Sequence, residues 1–290
     1  MAPAGVLACG LATVDVVQTV ERVPGANQKV VALGTRVEAG GPALNAAVTA
    51  ALLGMPARLV TGVGRSALGA VVRDDCAAHG VDLVDTAGEG FDLPVSTVLV
   101  TASTGERAVV SRNAAGAAGC AVPAPGRLAV LLEGVQGVLV DGHHLPVAVA
   151  VAAAARERGI PVLADAGSWK PGLETLLAHV DVLVASADLR APSGPGLPDL
   201  LALGPGWVAR TAGGSPVEWL SADGSGGWVS VPDVEVVDTL GAGDVLHGAL
   251  LADLARHGPS DLPGSLRRAV EVAARSVTAD GARGWAGRGA

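Results

Sequence analysis

The stretch "VDTLGAGDVLHGAL" (237–250) sets Gly241, Ala242 and Gly243 directly before Asp244 and then reads as a helix. A helix start presents N–H groups without intrahelical partners, and its dipole adds positive potential there. Small residues let an anion such as a phosphoryl group approach that backbone closely. A carboxylate beside such an anion hole suits phosphoryl transfer. The amides take up charge on the moving oxygens, and the acid steers an incoming hydroxyl. A lone Asp in a first turn more often just complements the dipole; the complete "DTLGAGD" string outweighs that plainer reading. The helix start should also depress the Asp244 pKa, making it a weak base whose main task is positioning.

A second glycine-rich helix start is "AGGPALNAAVTAALLG" (39–54). Pro42 suits a first helical position and Gly54 an end cap. Asn45 lies in the first turn. By itself it is an unremarkable polar residue there; its functional reading is a hydrogen-bonding side chain aimed at a ligand held over the Gly40–Gly41 backbone.

These two turns need elements to hold them. After residue 135, short apolar runs alternate with helical stretches: "GVLVDG" (137–142), a helix over 145–159, "IPVLAD" (160–165), a short helix from Gly172, "VDVLVAS" (180–186) and "GWVART" (206–211). This alternation predicts an α/β fold with a mostly parallel central sheet and helices on both faces. Ligands in such sheets sit beyond the carboxyl ends of the strands. His143 and His144 follow a predicted strand and so face that side, where a site-edge or lid-contact role suits them better than a metal pair. The N-terminal third differs. "TVDVVQTVERV" and "STVLVTASTGERAVVS" alternate polar and apolar residues, the second around a "TG" turn, which predicts a small antiparallel piece projecting from the body. No linker separates that piece, so 1–290 is expected to form one domain.

Composition narrows the function classes. The 290 residues are half apolar, enough for a large core, with one Phe and no Tyr. A net charge of −8 argues against nucleic-acid binding. No apolar run reaches membrane-spanning length. The start "MAPAGVLACG" lacks the basic residues of a secretory signal. Cys9, Cys76 and Cys120 are too far apart for a zinc site or a disulfide frame, and point to free thiols in a cytoplasmic protein. Neither a G-x-x-x-x-G-K-[ST] loop nor a dinucleotide G-x-G-x-x-G after a strand is present. "GPGWVA" (204–209) precedes a strand instead.

"DTLGAGDVLHGAL" together with "GGPALNAA", "GLATVDVV" and the "GER" hairpin resembles the ribokinase-like (PfkB) family of carbohydrate kinases over nearly the whole chain. The resemblance implies a ribokinase-like fold with a small β-sheet lid, contributed by roughly 12–38 and 92–113. It implies an ATP-dependent sugar kinase, with Mg2+ as usual companion, that phosphorylates a hydroxymethyl group. Asp244 would be the catalytic base and Gly241, Ala242 and Gly243 the anion hole. Asp15, Gly40, Gly41 and Asn45 would bind the sugar, and Thr211 and Gly213 the nucleotide. Lys170, after strand "IPVLAD", would reach phosphates. A homodimer through the lid edge is expected, as in many relatives.

Some positions depart from the family pattern. Arg65 stands where many members have Asp. The Asn-x-x-Glu segment that organises magnesium and phosphate falls near "VASADL", where Ser186 and Asp188 match imperfectly, Asp188 being the candidate metal ligand. Leu240 in "DTLGAGD" resembles ketohexokinases, and "DGHHLP" with "DAGSWKPG" resembles a branch with kinases of fructose and its sulfonated analogue. Lys29 and Arg112, in the expected lid, would then hold an anionic substituent, while Arg107 would support its hairpin turn. A nucleoside kinase and a catalytically silent sugar-binding or regulatory protein are the alternatives.

Overall fold

The computed structural model describes residues 5–112 and 119–286. The chain begins β1 (Gly5–Cys9), β2 (Thr13–Val20), β3 (Gly34–Gly40), α1 (Pro42–Leu52), β4 (Ala57–Thr61), α2 (Gly69–Ala78), β5 (Val81–Asp85). It continues β6 (Val95–Thr101), β7 (Arg107–Ser111), α3 (Pro125–Leu131), β8 (Val135–Val140), α4 (Leu145–Arg156), β9 (Val162–Ala166), α5 (Leu173–Leu177), β10 (Val182–Ser186). It ends α6 (Leu197–Leu201), β11 (Trp207–Ala212), β12 (Ser215–Ser221), β13 (Gly226–Val229), α7 (Ala242–His257), α8 (Leu262–Ser276).

Nine strands form the large sheet in the order β13-β12-β11-β10-β9-β8-β1-β4-β5. From β11 to β5 every pairing is parallel; β12 and β13 return antiparallel at one edge. The parallel strands are covered on both faces, so their residues alternate between two cores. In β1, Val6 and Ala8 enter the core with α1, α7 and α8, while Leu7 and Cys9 enter the core with α3, α4 and α5. Ala, Val and Leu supply nearly all of both cores, as the shortage of aromatics required.

The second sheet has the order β3-β2-β6-β7. The segments expected at 12–38 and 92–113 supply it, with strands over 13–40 and 95–111; Asn113 lies outside the described residues. One expectation fails here. The outer pairs are antiparallel, but the central pair, β2 with β6, is parallel. β2 follows β1 and β6 follows β5, two strands of the same parallel sheet, so both chains leave the body in one direction and meet side by side.

Helix α7 packs against α1. A Cβ on Gly248 would lie 2.5 Å from the Ala46 carbonyl oxygen and 2.6 Å from the Thr49 Cβ, so only glycine permits this approach. Gly248 is one turn beyond Asp244 and Ala46 adjoins Asn45. The contact therefore sets the distance between the first turns of the two helices. The free thiols are as expected: Cys9 and Cys76 are buried and Cys120 is half-buried.

Candidate active site

Asp141, at the end of β8, fixes the floor. It is buried and accepts hydrogen bonds from the N–H groups of Leu11 (2.7 Å), Ala43 (3.2 Å) and His143 (2.9 Å). Burial pushes its pKa up, but the His143 ring and these donors outweigh that and leave it at about 2. One carboxylate thus ties the exits of β1 and β8 to the start of α1.

Gly41 then turns the chain into α1 at φ 101°, where a Cβ would lie 2.5 Å from the Leu11 carbonyl oxygen. Gly40 lies against Asp15: a Cβ there would sit 2.0 Å from an Asp15 carboxylate oxygen. Thr13 Oγ1 donates to Asp15 at 2.9 Å, and burial still holds the Asp15 pKa above the usual carboxylate value. Asn45 is buried in the first turn of α1, and its Nδ2 donates to Asp244 Oδ2 at 2.6 Å. Its Oδ1 has no partner among the described residues, an acceptor left for a ligand hydroxyl.

Gly241 turns into α7 at φ 75°. The amide of Ala242 donates to the Thr239 carbonyl at 3.3 Å, so it is not free for an anion as the sequence suggested. The amides of Gly243 and Asp244 belong to the unpaired first turn, and Gly243 borders open space. Asp244 is half-buried, and its pKa is raised to about 7 rather than depressed. Desolvation is the main cause and the Asp165 carboxylate the next; the Asn45 bond and His247 pull the other way without prevailing. Enclosure therefore outweighs the helix dipole, which falls off within one turn.

Two cavities meet at this turn. The first, about 290 Å³, is lined by Asp15, Gly40, Gly41, Asn45, Gly241 and Asp244, with the β6–β7 residues Ser96, Val98 and Val109 over it. The second, about 660 Å³ and mostly apolar, is lined by Thr211, Gly213, Val217, Val270, Ala242 and Gly243. Asp244 faces the first; Ala242 and Gly243 face the second.

Other expected residues lie elsewhere. Lys29 is exposed in the loop between β2 and β3 and lines neither cavity. Arg112 is exposed and paired with Asp92 at 2.5 Å. The expectation that both lie in lid strands fails: Lys29 falls in a loop and Arg112 follows the last residue of β7. Lys170 lines neither cavity; its charge bears on Asp165 beneath the site. Ser186 donates to the Gly167 carbonyl and caps the Asp188 amide, and Asp188 is exposed; neither lines a cavity. No group of three His, Cys, Asp or Glu able to hold a metal exists among the described residues. His143 and His144 are buried, one against Asp141 and the other against Phe91 and Cys120, rather than at the site edge.

Two features gave no sequence signal, and Arg107 differs from its expected role. Glu38, Asp75 and Asp280 add carboxylates to the first cavity, which also takes Arg283. Arg283, near the C-terminus, bonds Asp75 at 2.7 Å across 208 residues. Arg107 does not serve its own hairpin: it bonds Thr239 Oγ1 and lies 3.6 Å from Asp238, linking β7 to the segment before the turn.

Comparison with known proteins decides the family. A model of the "pfkB family carbohydrate kinase" matches residues 4–286. This chain belongs to that family. The kinase is 27% identical over 282 residues to a ribokinase of Bacillus subtilis (strain 168), covering 95% of this chain and 93% of that one. A candidate ribokinase from Agrobacterium tumefaciens superposes with a TM-score of 0.83 at 27% identity, over 97% of this chain and 94% of that chain. The ribokinase of Arabidopsis thaliana, solved with ribose and ATP, shares the fold with a TM-score of 0.77 at 21% identity, over 97% and 94%. The kinase is accordingly a ribokinase-like phosphotransferase acting on a sugar alcohol group.

Proposed function

We propose that this kinase transfers the γ-phosphoryl group of ATP to a hydroxymethyl group of a neutral monosaccharide, a pentose or ketohexose, bound in the first cavity. The observation that carries the reading is the turn Gly241–Asp244 standing between a small polar cavity and a larger apolar one. The small cavity is at the low end of ligand-site volumes. Five carboxylates (Asp15, Glu38, Asp75, Asp244 and Asp280) face it against the single guanidinium of Arg283. That balance repels an anionic ketose and suits a ligand rich in hydroxyls, which carboxylates bind as acceptors. It also suits a sugar better than a nucleoside, because no aromatic ring lines it among the described residues. ATP occupies the second cavity, with adenine on the apolar wall of Val217, Val270 and Ala274 and phosphates toward Gly243. The Bacillus ribokinase at 27% identity supports a ribose-like acceptor, and the Arabidopsis neighbour's ribose and ATP agree with it.

The chemistry follows from the placement. The transition state of phosphoryl transfer is loose, so the acceptor hydroxyl needs orientation first and loses its proton late. Asp15 and Asn45 hold the sugar so that one hydroxyl meets Asp244. With a pKa near 7, Asp244 is half ionised at neutral pH and matched to accept that proton. The Gly243 and Asp244 amides receive charge on the transferred oxygens. Ser186 and Asp188 make no dedicated metal site, so magnesium enters as part of the Mg·ATP substrate, held chiefly by phosphates.

The described chain acts as one ribokinase-like unit, with the β3-β2-β6-β7 sheet as a lid that excludes water. Val37 of β3 and Val110 of β7 stand exposed on it, and Val31 in the loop between β2 and β3, which supports a homodimer through the lid. The free thiols suit a cytoplasmic location. ADP release, measured with ribose, fructose, sugar acids and nucleosides, tests the acceptor. Turnover with neutral sugars and its collapse in Asp244→Asn are the expected results. Turnover restricted to acidic sugars or nucleosides refutes the acceptor, and silence with every compound favours a binding protein.

A further inference from the structure

His247 lies one turn into α7 and is buried, 4% exposed, beneath the transfer turn. Its Nδ1 is 2.7 Å from the Gly243 carbonyl oxygen and 3.5 Å from Asp165 Oδ2; its Nε2 is 3.2 Å from the Val184 carbonyl oxygen in β10. A neutral imidazole donates from one nitrogen only. Acceptor oxygens face both nitrogens here, with a carboxylate beside one of them. The ring thus bridges the Gly243 carbonyl in its own helix and the Val184 carbonyl in β10, with the Asp165 carboxylate beside it.

The position joins three elements. Through Gly243 the ring holds the turn that borders both cavities. Through Val184 it pins α7 to the sheet. Through Asp165 it meets the end of β9, the carboxylate whose charge also bears on Asp244. Other charged or polar groups face this cluster from neighbouring elements: Asp141 and His143 at the exit of β8, Lys170 after β9 and Asn45 on α1.

We propose that His247 and Asp165 form a positioning pair: the ring tethers the transfer turn through the Gly243 carbonyl and pins it to β10 through Val184, and the pair shapes the field that Asp244 meets from beneath. Neither residue touches the cavity that holds the acceptor. The inference rests on the reading of Asp244 as proton acceptor for its consequence in catalysis, but the test observes Asp244 directly.

The full-length protein is labelled with 13C at Asp carboxyls, and the Asp244 signal is assigned by its loss in Asp244→Asn. Its titration is followed by NMR in the wild type, Asp165→Asn and His247→Gln. Removing the Asp165 charge moves the midpoint down, and removing the His247 ring moves it up, each by about half a pH unit or more. Thermal melts establish which variants fold; if His247→Gln does not, Asp165→Asn carries the test. Shifts in the same direction in both variants, or no shift in the folded ones, overturn the proposal. A merely structural role lowers turnover without these opposed displacements. The acidic limb of kcat/KM follows the NMR midpoints if Asp244 is the base. If the midpoints move while that limb stays fixed, the pair stands and the base assignment falls.

Discussion

Replacing Asp244 by Asn should remove turnover and, at the same time, make the fold more stable above neutral pH. The wild-type carboxyl titrates near 7 in the fold against 3.8 in a free chain. A group with a raised folded pKa lends its stability in full below the unfolded value and loses it as pH rises through the folded one. At pH 8 the ionised side chain thus burdens the native state. A difference of that size corresponds to about 4 kcal/mol at most, at roughly 1.4 kcal/mol for each tenfold change. Partial access to cleft water reduces this to about 2 kcal/mol. Asparagine keeps the shape and an oxygen acceptor for Asn45 while removing the charge. The stabilisation should therefore approach 2 kcal/mol at pH 8, roughly 3 °C in Tm for a chain of this size. It should be less than half as large at pH 5, because the titration that generates it is then incomplete. Melting curves of both proteins at pH 5 and pH 8, without ligands, give the comparison. An equal difference at the two pH values, or destabilisation at both, would refute the claim that Asp244 is held against its own charge.

Gly40→Ala puts a methyl 2.0 Å from an Asp15 oxygen, so that carboxylate must move; KM for the sugar rises about tenfold or more, with KM for ATP unchanged, in steady-state assays. Arg107→Ala cuts the link from β7 to Thr239 and Asp238; sugar KM rises by a factor of about three to ten, while Tm stays within about 1 °C, because a half-exposed contact contributes little to the fold. Lys29→Ala and Arg112→Ala, both outside the cavities, change kcat/KM by less than about twofold for neutral and acidic sugars alike.

The two helix starts and the strand–helix alternation were legible in the sequence because they are local. Gly before Pro at the start of α1, and a run of small residues before an acid at the start of α7, carry their meaning within one turn of chain. The lid's segments were legible for the same reason: alternation over seven or eight residues marks a half-buried strand wherever it stands. The parallel pairing of β2 with β6 was not, because it follows from where β1 and β5 lie in the other sheet. Lys29 and Arg112 misled because alternation does not say where a strand stops: Lys29 falls in the loop between β2 and β3, and Arg112 just past the end of β7.

The sequence by itself determined which backbone can receive an anion and which side chains stand next to it. Tertiary structure decided the electrostatics and the remainder of the cavity. Glu38, Asp75, Asp280 and Arg283 come from separate segments and meet only when β3, α2 and the C-terminal stretch converge. The Asp244 pKa was set against the local rule for the same reason. The dipole of α7 is a property of α7 alone, whereas desolvation and the Asp165 charge arise from burial beneath the body of the protein. Charges act through space, and their sum at one carboxylate exists only after the chain has folded.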